Sequence, residues 1–235
     1  MYICIDFLLN VTKNEDKMNR NEQFVITVNR ELGSGGRTVG EKLAAMLGVD
    51  YYDKALVKAL QKKYRLTVAE IERLKGRKHN WWADFKRALA IGEQTRQAQY
   101  YQVAMGDMPD LLTTDEMFES EKEILKGIAE NESCVIAGRS GFFVFKDHPN
   151  HLSILIQAPM EQRLARVMTK QQLFREEAEK VIADVDKMRE NYVNKYTKTS
   201  RYDTRNYDLV INMAGLTEDD AVALIMDYIK RSEKK

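Results

Sequence analysis

The sequence predicts an α/β fold in which a mostly parallel sheet carries helices on both faces. A β-rich run at residues 24–28 is followed directly by the glycine cluster Gly33–Gly36 and then by helically spaced apolar residues up to Gly48. A continuous apolar run within His151–Gln157 is typical of a parallel strand that is buried on both faces. Proline is scarce, with 3 in 235 residues, so no long linker is expected between domains.

The first half of the chain is expected to contribute two strands to the sheet, followed by helices outside the sheet. Residues 1–20 lack a basic leader and are apolar only in part, so they predict a disordered extension ahead of a single domain at residues 21–235. A short second strand, Val49–Tyr52, follows the first helix. Residues 54–130 contain mainly helical patterns, which predict a helical insert that closes over a substrate.

The second half of the chain is expected to add three strands to the sheet. In chain order it predicts these elements: strand Ser133–Ala137, strand His151–Gln157, helix Met160–Thr169, helix Phe174–Tyr192, strand Leu209–Asn212 and helix Thr217–Arg231. Thr217 is the expected N-cap of the last helix. The charged stretch around residues 165–190 predicts a lid. Ligands of such sheets bind beyond the carboxyl ends of the strands, where the glycine cluster, Asp53 and Arg139 fall.

Composition and charge narrow the function classes. The chain is 44% apolar and 31% charged with a formal net charge of +1, which favours neither nucleic acid nor a membrane as a general partner. Residues 54–90 carry 11 basic and 3 acidic residues, which indicate either a solvated helical face or a nucleic-acid contact. The two cysteines and three histidines lack metal-ligand or disulfide spacing, so a reducing cytoplasm is the expected location.

The segment Gly33–Thr38 is the best candidate for a phosphate-binding loop. When it is aligned on G-x-x-x-x-G-K-[ST], Glu31 stands at the first glycine and Arg37 at the lysine. A glycine-rich backbone before a helix N-terminus still offers N–H groups to an anion, and Thr38 offers a hydroxyl to Mg²⁺. The alternative is a flexible turn. The residues predicted to bind ATP phosphates are Gly33, Ser34, Gly35, Gly36, Arg37 and Thr38.

Arginines after the 151–157 strand are candidates for holding a transferring phosphoryl group. Arg163, Arg166 and Lys170 are spaced i, i+3 and i+7, so they share one helix face. Closure of a lid would deliver these cations to the reacting phosphate. The alternative is a solvated helix whose charges pair on the surface.

Four further residues are candidates for binding the acceptor. Arg139 follows a strand and a glycine, which exposes it at the sheet edge. Asp53 ends a strand at the same edge and either binds the acceptor or caps the next helix. Asp186 and Arg189 are spaced i, i+3, so an internal salt bridge is the alternative for this pair.

Five segments together give the sequence a family resemblance. They are Ile26–Tyr52, Val135–Phe145, Leu155–Arg166, Asp186–Tyr192 and Asn206–Asn212. The chain resembles the cytidylate-kinase-like family of P-loop proteins, in which a G-S-G-G-R loop replaces the usual lysine loop. The resemblance implies a P-loop, three-layer nucleoside-monophosphate-kinase fold, ATP and Mg²⁺, and phosphoryl transfer to CMP, dCMP or a similar acceptor.

The resemblance also implies roles for individual residues. Arg139, Asp186 and Arg189 match positions that are expected near acceptor or donor phosphates in the family. The residues themselves make Arg37, Arg163 and Arg166 the expected catalytic cations, and Arg139 and Arg189 the expected ligands of the acceptor phosphate. Ser140 stands where cytidylate kinases carry an aspartate for acceptor recognition.

Two other functions remain open from the sequence. The departures from the lysine loop favour a nucleotide-binding regulator with little turnover. The basic block at 54–90 would favour nucleic-acid association. The prediction adopted is small-molecule nucleotides as partners, without membrane or nucleic acid.

Overall fold

A computed structural model of the protein describes residues 18–53 and 115–233. The helices predicted between residues 54 and 114, and with them the basic block, lie outside the described residues, as do residues 1–17 of the predicted extension. Met18, at the end of that extension, is fully buried in the main hydrophobic core. The side-chain amide of Asn150 bonds both the N–H and the carbonyl of Asn19, which ties this segment to the domain.

The chain divides into two compact units, residues 1–51 with 132–235, and residues 52–131. The described elements, in chain order, are β1 (Val25–Arg30), α1 (Gly36–Leu47), β2 (Asp50–Tyr52), α2 (Asp115–Ala129), β3 (Cys134–Ala137), α3 (Gly141–Val144), β4 (His151–Gln157), α4 (Met160–Gln171), α5 (Arg175–Thr197), a 3₁₀ turn (Thr204–Asn206), β5 (Leu209–Asn212) and α6 (Glu218–Ser232).

The described part of the smaller unit consists mainly of α2. This helix buries Phe118, Ile124, Leu125 and Ile128. Leu125 lies seven residues after Phe118, and Ile128 lies three and four residues after Leu125 and Ile124, so the four side chains share one face of an amphipathic helix. Asp53, at the start of this unit after β2, is also buried.

The sheet has five strands in the order β2-β3-β1-β4-β5. The pairs β1–β3, β1–β4 and β4–β5 are parallel, with Val25 opposite both Cys134 and His151. β1 is therefore central, and the chain builds one side of the sheet from β1 to β3 and the other side with β4 and β5. Parallel sheets bind ligands where the direction of strand addition reverses, outside the carboxyl ends of the strands. The segment after β1 lies at this point.

Both faces of the central strand are covered. Ile26 and Val28 point to one face, where they pack with Val39 and Leu43 of α1 and with Val222 and Ile225 of α6, all of them buried. Thr27 points to the opposite face because side chains alternate along a strand. There it bonds the ring of His151 at 2.8 Å and contacts the start of α3 at Gly141. The three-layer α/β arrangement predicted from the sequence is confirmed.

Most predicted elements of the described residues are confirmed. The strands at 151–157 and 209–212 have the predicted bounds. Gly48 ends α1 in the left-handed region, with φ +68°, and Thr217 caps α6 by accepting the Asp220 N–H. The largest difference is in α5, which continues to Thr197 instead of Tyr192, and the bounds of β1, β2, β3, α4 and α6 differ by one or two residues.

Within residues 18–53 and 115–233, no helix combines the length and the apolar character needed to cross a bilayer. In the same ranges, no group of three or more His, Cys, Asp or Glu side chains is arranged to hold a metal ion.

Candidate functional site

The segment between β1 and α1 is a tight loop shaped by two glycines. Gly33 and Gly35 have φ +80° and +84°, in the left-handed region that favours glycine. A Cβ at Gly33 would lie 2.7 Å from the Arg163 carbonyl oxygen, so the loop packs directly on α4. Ser34 is buried, and its hydroxyl donates to the Glu31 carbonyl at 3.0 Å. The buried Ser34 side chain therefore links two residues of the loop by a hydrogen bond.

The helix α1 begins at Gly36 and directs its positive end at this loop. Its first intrahelical bond runs from the Val39 N–H to the Gly35 carbonyl. The N–H groups of the first turn have no carbonyl of their own helix to bind, and such termini in general favour anions. Thr38 lies in this turn and is half-buried. Arg37 is beside it, with its Nε donating to Glu41 at 2.8 Å.

Glu31, unusual for a phosphate loop, has both carboxylate oxygens engaged by the protein. One carboxylate oxygen accepts the Ala158 N–H at 3.1 Å, and the other lies 3.5 Å from Nη1 of Arg163. Arg163 is itself buried, and its Nε donates to the Leu32 carbonyl at 2.8 Å. Together these bonds fasten the loop to the β4–α4 connection. Glu31 thus faces an arginine, which removes the repulsion that its carboxylate would exert on phosphate.

Asp186 of α5 is the second anchor of the loop. It accepts the Leu32 N–H at 3.1 Å and forms an ion pair with Arg163. The oxygen that accepts the Leu32 N–H, Oδ1, also lies 3.5 Å from Arg201 and 3.7 Å from Arg189. One buried carboxylate therefore stands among three guanidinium groups.

Two of these arginines also hold the end of β1. Arg189 donates to the Arg30 carbonyl at 3.1 Å, and Arg201 donates to the same oxygen. Arg201 is fully buried. It lies in the irregular segment after α5, where no periodicity or motif distinguishes it, so sequence reasoning missed it.

Arg166 lies over the middle of the loop. A Cβ at Gly35 would come within 3.2 Å of its guanidinium and 3.1 Å of the Glu218 carboxylate. Arg166 and Glu218 form an ion pair between α4 and α6. Partial burial opposes ionisation of Glu218, but the hydrogen bond from Arg166 prevails and lowers the pKa of this carboxyl. The Arg166 guanidinium is thus held beside the loop by Glu218.

The turn after β3 is strained. Gly138, Arg139 and Ser140 have φ +75°, +58° and +53°, three consecutive residues in the left-handed region. Such conformations cost about 1 kcal/mol or more for residues other than glycine, and they cluster at functional sites. The Arg139 guanidinium lies 4.7 Å from the ring centre of Tyr192. Burial is the main cause that lowers the pKa of Arg139, and the nearby Arg30 guanidinium acts in the same direction.

The larger unit brings most of the predicted site residues to one edge of the sheet. These are Gly33, Ser34, Gly35, Gly36, Arg37, Thr38, Arg139, Arg163, Arg166, Asp186 and Arg189. Asp53 belongs to the smaller unit. Arg30 and Glu218 were missed, although Arg30 ends the central strand and the rule that strand ends meet would have indicated it.

A model of the cytidylate kinase-like family matches residues 25–215 of the chain. The chain belongs to the cytidylate kinase-like family. The matched residues include the loop, both α4 arginines, Arg139 and Asp186, and they end before α6. Family and fold are therefore those of a kinase-type phosphotransferase with a P-loop fold.

Two solved structures are similar to the chain, and the first supports the fold. An uncharacterized protein from Eubacterium ventriosum has a similar structure, with a TM-score of 0.62 and 24% identity over 88% of this chain and 99% of that chain. A shikimate kinase from Acinetobacter baumannii, in complex with shikimate, has a TM-score of 0.45 and 17% identity over 90% of this chain and 95% of that one.

One curated protein matches part of the chain. A uronate isomerase of Corynebacterium glutamicum is 29% identical over 113 residues, which are 48% of this chain. The chain spans about a fifth, 21%, of the length of that protein.

Proposed function

We propose that the protein transfers the γ-phosphoryl group of Mg·ATP to a nucleoside monophosphate or a similar small acceptor, with CMP and dCMP as the first candidates. The observation that carries this proposal is the glycine loop at the end of the central strand. It stands before a helix N-terminus and is surrounded by arginines in excess of carboxylates. Membership of the cytidylate kinase-like family supports the same reaction.

The loop and α4 serve the donor nucleotide in this proposal. The N–H groups of the loop and of the first turn of α1 bind the ATP phosphates, and Arg37 adds charge beside them. Arg166 stabilises the charge on the transferring group from above Gly35. Arg163 is bonded to Glu31, Leu32 and Asp186, which favours a role in positioning the loop over direct contact with phosphate.

The acceptor is bound on the β3 side. Arg139 in the strained turn and Arg189 on α5 are the proposed ligands of its phosphate, with Asp186 holding Arg189 in place. Asp53 is proposed to contact the acceptor as well. Ser140 is buried in the strained turn, at the position where cytidylate kinases carry an aspartate for acceptor recognition. The nucleobase that the acceptor carries is therefore tested separately from the transfer itself.

Magnesium is proposed to bind with the nucleotide. Mg²⁺ keeps several waters and takes most of its other ligands from substrate phosphates, so it requires few protein groups. The hydroxyl of Thr38, half-buried in the first turn of α1, fits such a site. Bound there, Mg²⁺ would neutralise charge on the phosphates. We therefore expect Mg²⁺ to bind tightly only together with ATP.

The chemistry requires no nucleophilic side chain. An oxygen of the acceptor attacks the γ-phosphorus, the bond to the oxygen that bridges the β- and γ-phosphates breaks, and ADP leaves with the electron pair. Catalysis of this transfer depends on positioning and on stabilising charge. A rigid loop fixed by Glu31 and Asp186 and a set of arginines supply both requirements.

The test is ADP release from Mg·ATP in the presence of CMP, dCMP, UMP, AMP, GMP and a panel of small alcohols. Release that depends on CMP or dCMP supports the proposal in full. Release with another acceptor supports the transfer and replaces the acceptor. A control without acceptor measures hydrolysis by water.

A second candidate is a nucleotide-binding regulator with little turnover, which the lack of a loop lysine favours. ATP binding measured by calorimetry, together with no ADP release for any acceptor, would support the regulator and contradict the kinase.

A further inference from the structure

The loop can be aligned with the phosphate-loop pattern in a second register. One register places Gly36 at the second glycine and Arg37 at the lysine. The other places Gly35 at the second glycine, Gly36 at the lysine, Arg37 at the serine or threonine and Arg30 at the first glycine. The glycine that the backbone requires before the helix is Gly35, because its φ is +84°, whereas Gly36 is already the first residue of α1. The geometry therefore favours the second register, in which the lysine is missing and Thr38 lies one residue beyond the serine or threonine of the pattern.

The Arg30 side chain fills the space that a side chain at position 36 would need. A Cβ at Gly36 would lie 2.6 Å from the Arg30 Cβ and 3.0 Å from the Ile156 Cβ. At its far end, Nη1 of Arg30 lies 2.6 Å from where a Cβ of Gly138 would be. Arg30 thus extends from the start of α1 to the turn after β3, and a glycine makes room for it at each end.

The backbone of Arg30 is held firmly. Its carbonyl accepts bonds from Arg189 and Arg201, and its N–H donates to the Asn29 side chain at 3.2 Å. Among the described residues, no carboxylate forms an ion pair with the Arg30 guanidinium. A fixed cation is thus directed from the loop that we assign to the donor toward the turn that we assign to the acceptor.

We propose that Arg30 supplies the cation of the missing loop lysine and contacts the γ-phosphoryl group of bound ATP. This inference rests on the proposed function for the identity of the nucleotide. It assigns the charge to the strand that precedes the loop, and it leaves Arg37 on α1, where it pairs with Glu41, as an accessory charge.

The experiment compares equilibrium binding of Mg·ATP and Mg·ADP to the full chain and to two matched variants, Arg30→Gln and Arg37→Gln. The Arg30 variant is expected to lose about tenfold or more in ATP affinity, the usual effect of losing a charged hydrogen bond, with a much smaller change for ADP. The Arg37 variant is expected to keep the preference for ATP. Arg30→Lys, which keeps the charge, is expected to restore much of the loss.

A second arm exchanges the two positions. Gly36→Lys alone should impair folding or ATP binding because its Cβ collides with Arg30. The double variant Arg30→Gly with Gly36→Lys removes the contact with Arg30, leaves the 3.0 Å approach to the Ile156 Cβ, and places a lysine in the loop, so it should recover ATP preference over ADP. Melting temperatures of all variants identify any that fail to fold.

The outcomes separate the two proposals. An unchanged ATP preference in a folded Arg30→Gln variant, or its loss in Arg37→Gln alone, overturns this inference and leaves the proposed function standing. A wild-type chain that binds neither nucleotide overturns the proposed function and, with it, this inference.

Discussion

Around Asp186, positively charged side chains outnumber the carboxylates. This carboxylate and Glu31 face Arg163, Arg189 and Arg201, and the Arg30 and Arg139 guanidinium groups lie at the same edge. Buried charges are costly unless they are paired and hydrogen-bonded. Asp186 therefore stabilises the folded chain, and the remaining positive charge stabilises an anion at the loop.

Substitution of Asp186 by Asn should strongly destabilise the protein. The amide still accepts the Leu32 N–H, but Arg163 and Arg201 lose a buried counter-charge, which typically costs about 3–5 kcal/mol. Urea unfolding followed by circular dichroism measures the change in the free energy of unfolding. Asp203→Asn, which breaks an exposed pair with Arg205, is the matched control and should change it little. A loss below about 1 kcal/mol for Asp186→Asn would contradict the anchoring role.

At the residue scale, the sequence identified Asp186 by helical spacing but not its partners. An i, i+3 pattern indicated only the pair with Arg189, which at 3.7 Å is more distant than the contacts to Leu32, Arg163 and Arg201. Those contacts join residues 15 to 154 positions apart in the chain. Local periodicity carries no information about such pairs, so only the folded structure reveals them.

At the scale of elements, the loop between β1 and α1 is held from both sides. Glu31 bonds the β4–α4 connection, and Leu32 bonds α5 through Asp186. Gly33 touches the Arg163 backbone of α4. A loop with so many supports is preorganised, which lowers the entropy that an anion must overcome on binding.

Comparison of two glycine substitutions tests this packing. Gly33 and Gly48 both have positive φ, but a Cβ at Gly48 meets nothing within 4 Å, whereas a Cβ at Gly33 meets the Arg163 carbonyl oxygen at 2.7 Å. Gly48→Ala should cost about 1 kcal/mol of stability from backbone strain alone. Gly33→Ala should cost about 1–3 kcal/mol more because the clash involves backbone atoms. Equal unfolding midpoints in urea for the two variants would argue against the tight contact.

The elements themselves were largely predictable because apolar periodicity, glycine stops and caps are local signals. The turn at Gly138–Ser140 and the short helix α3 after it were not predicted. Two non-glycine residues in the left-handed region leave no mark in the sequence, since arginine and serine rarely adopt it. Tertiary packing imposes this conformation, so the sequence could place Arg139 at the strand end but not orient it.

At the scale of the whole molecule, the central position of β1 decides where the site lies. β1 pairs with β3 on one side and with β4 on the other. The residues that follow these three strands therefore meet at one edge. The site combines segments that are more than 100 residues apart in sequence, such as Gly33 and Arg139. The site therefore stays assembled only while these strands remain paired.

Cys134 is a probe of this strand pairing because it lies buried in β3. Burial raises the pKa of the Cys134 thiol well above its usual range. The folded protein keeps the thiol protonated, whereas an unfolded thiol ionises near pH 8.5, so the contribution of this group to stability is present below that pH and is lost as the pH rises above it. The loss should approach about 1.4 kcal/mol per pH unit.

Two measurements check this prediction. The stability difference between the Cys134 protein and Cys134→Ala should shrink between pH 8 and 10. In a Cys4→Ser background, iodoacetamide should label Cys134 at a rate set by unfolding. Rapid labelling of the folded protein at pH 8 would contradict the burial of Cys134 between paired strands.

The close fit of Arg30 against Gly36 also constrains how this lineage can change. A descendant that acquired lysine at position 36 first would carry a steric clash, and one that shortened Arg30 first would lose the charge. Each single step is expected to lower fitness while both together restore it. The two positions should therefore be inherited as a linked pair, arginine with glycine or glycine with lysine, and the mixed combinations should be rare among natural relatives.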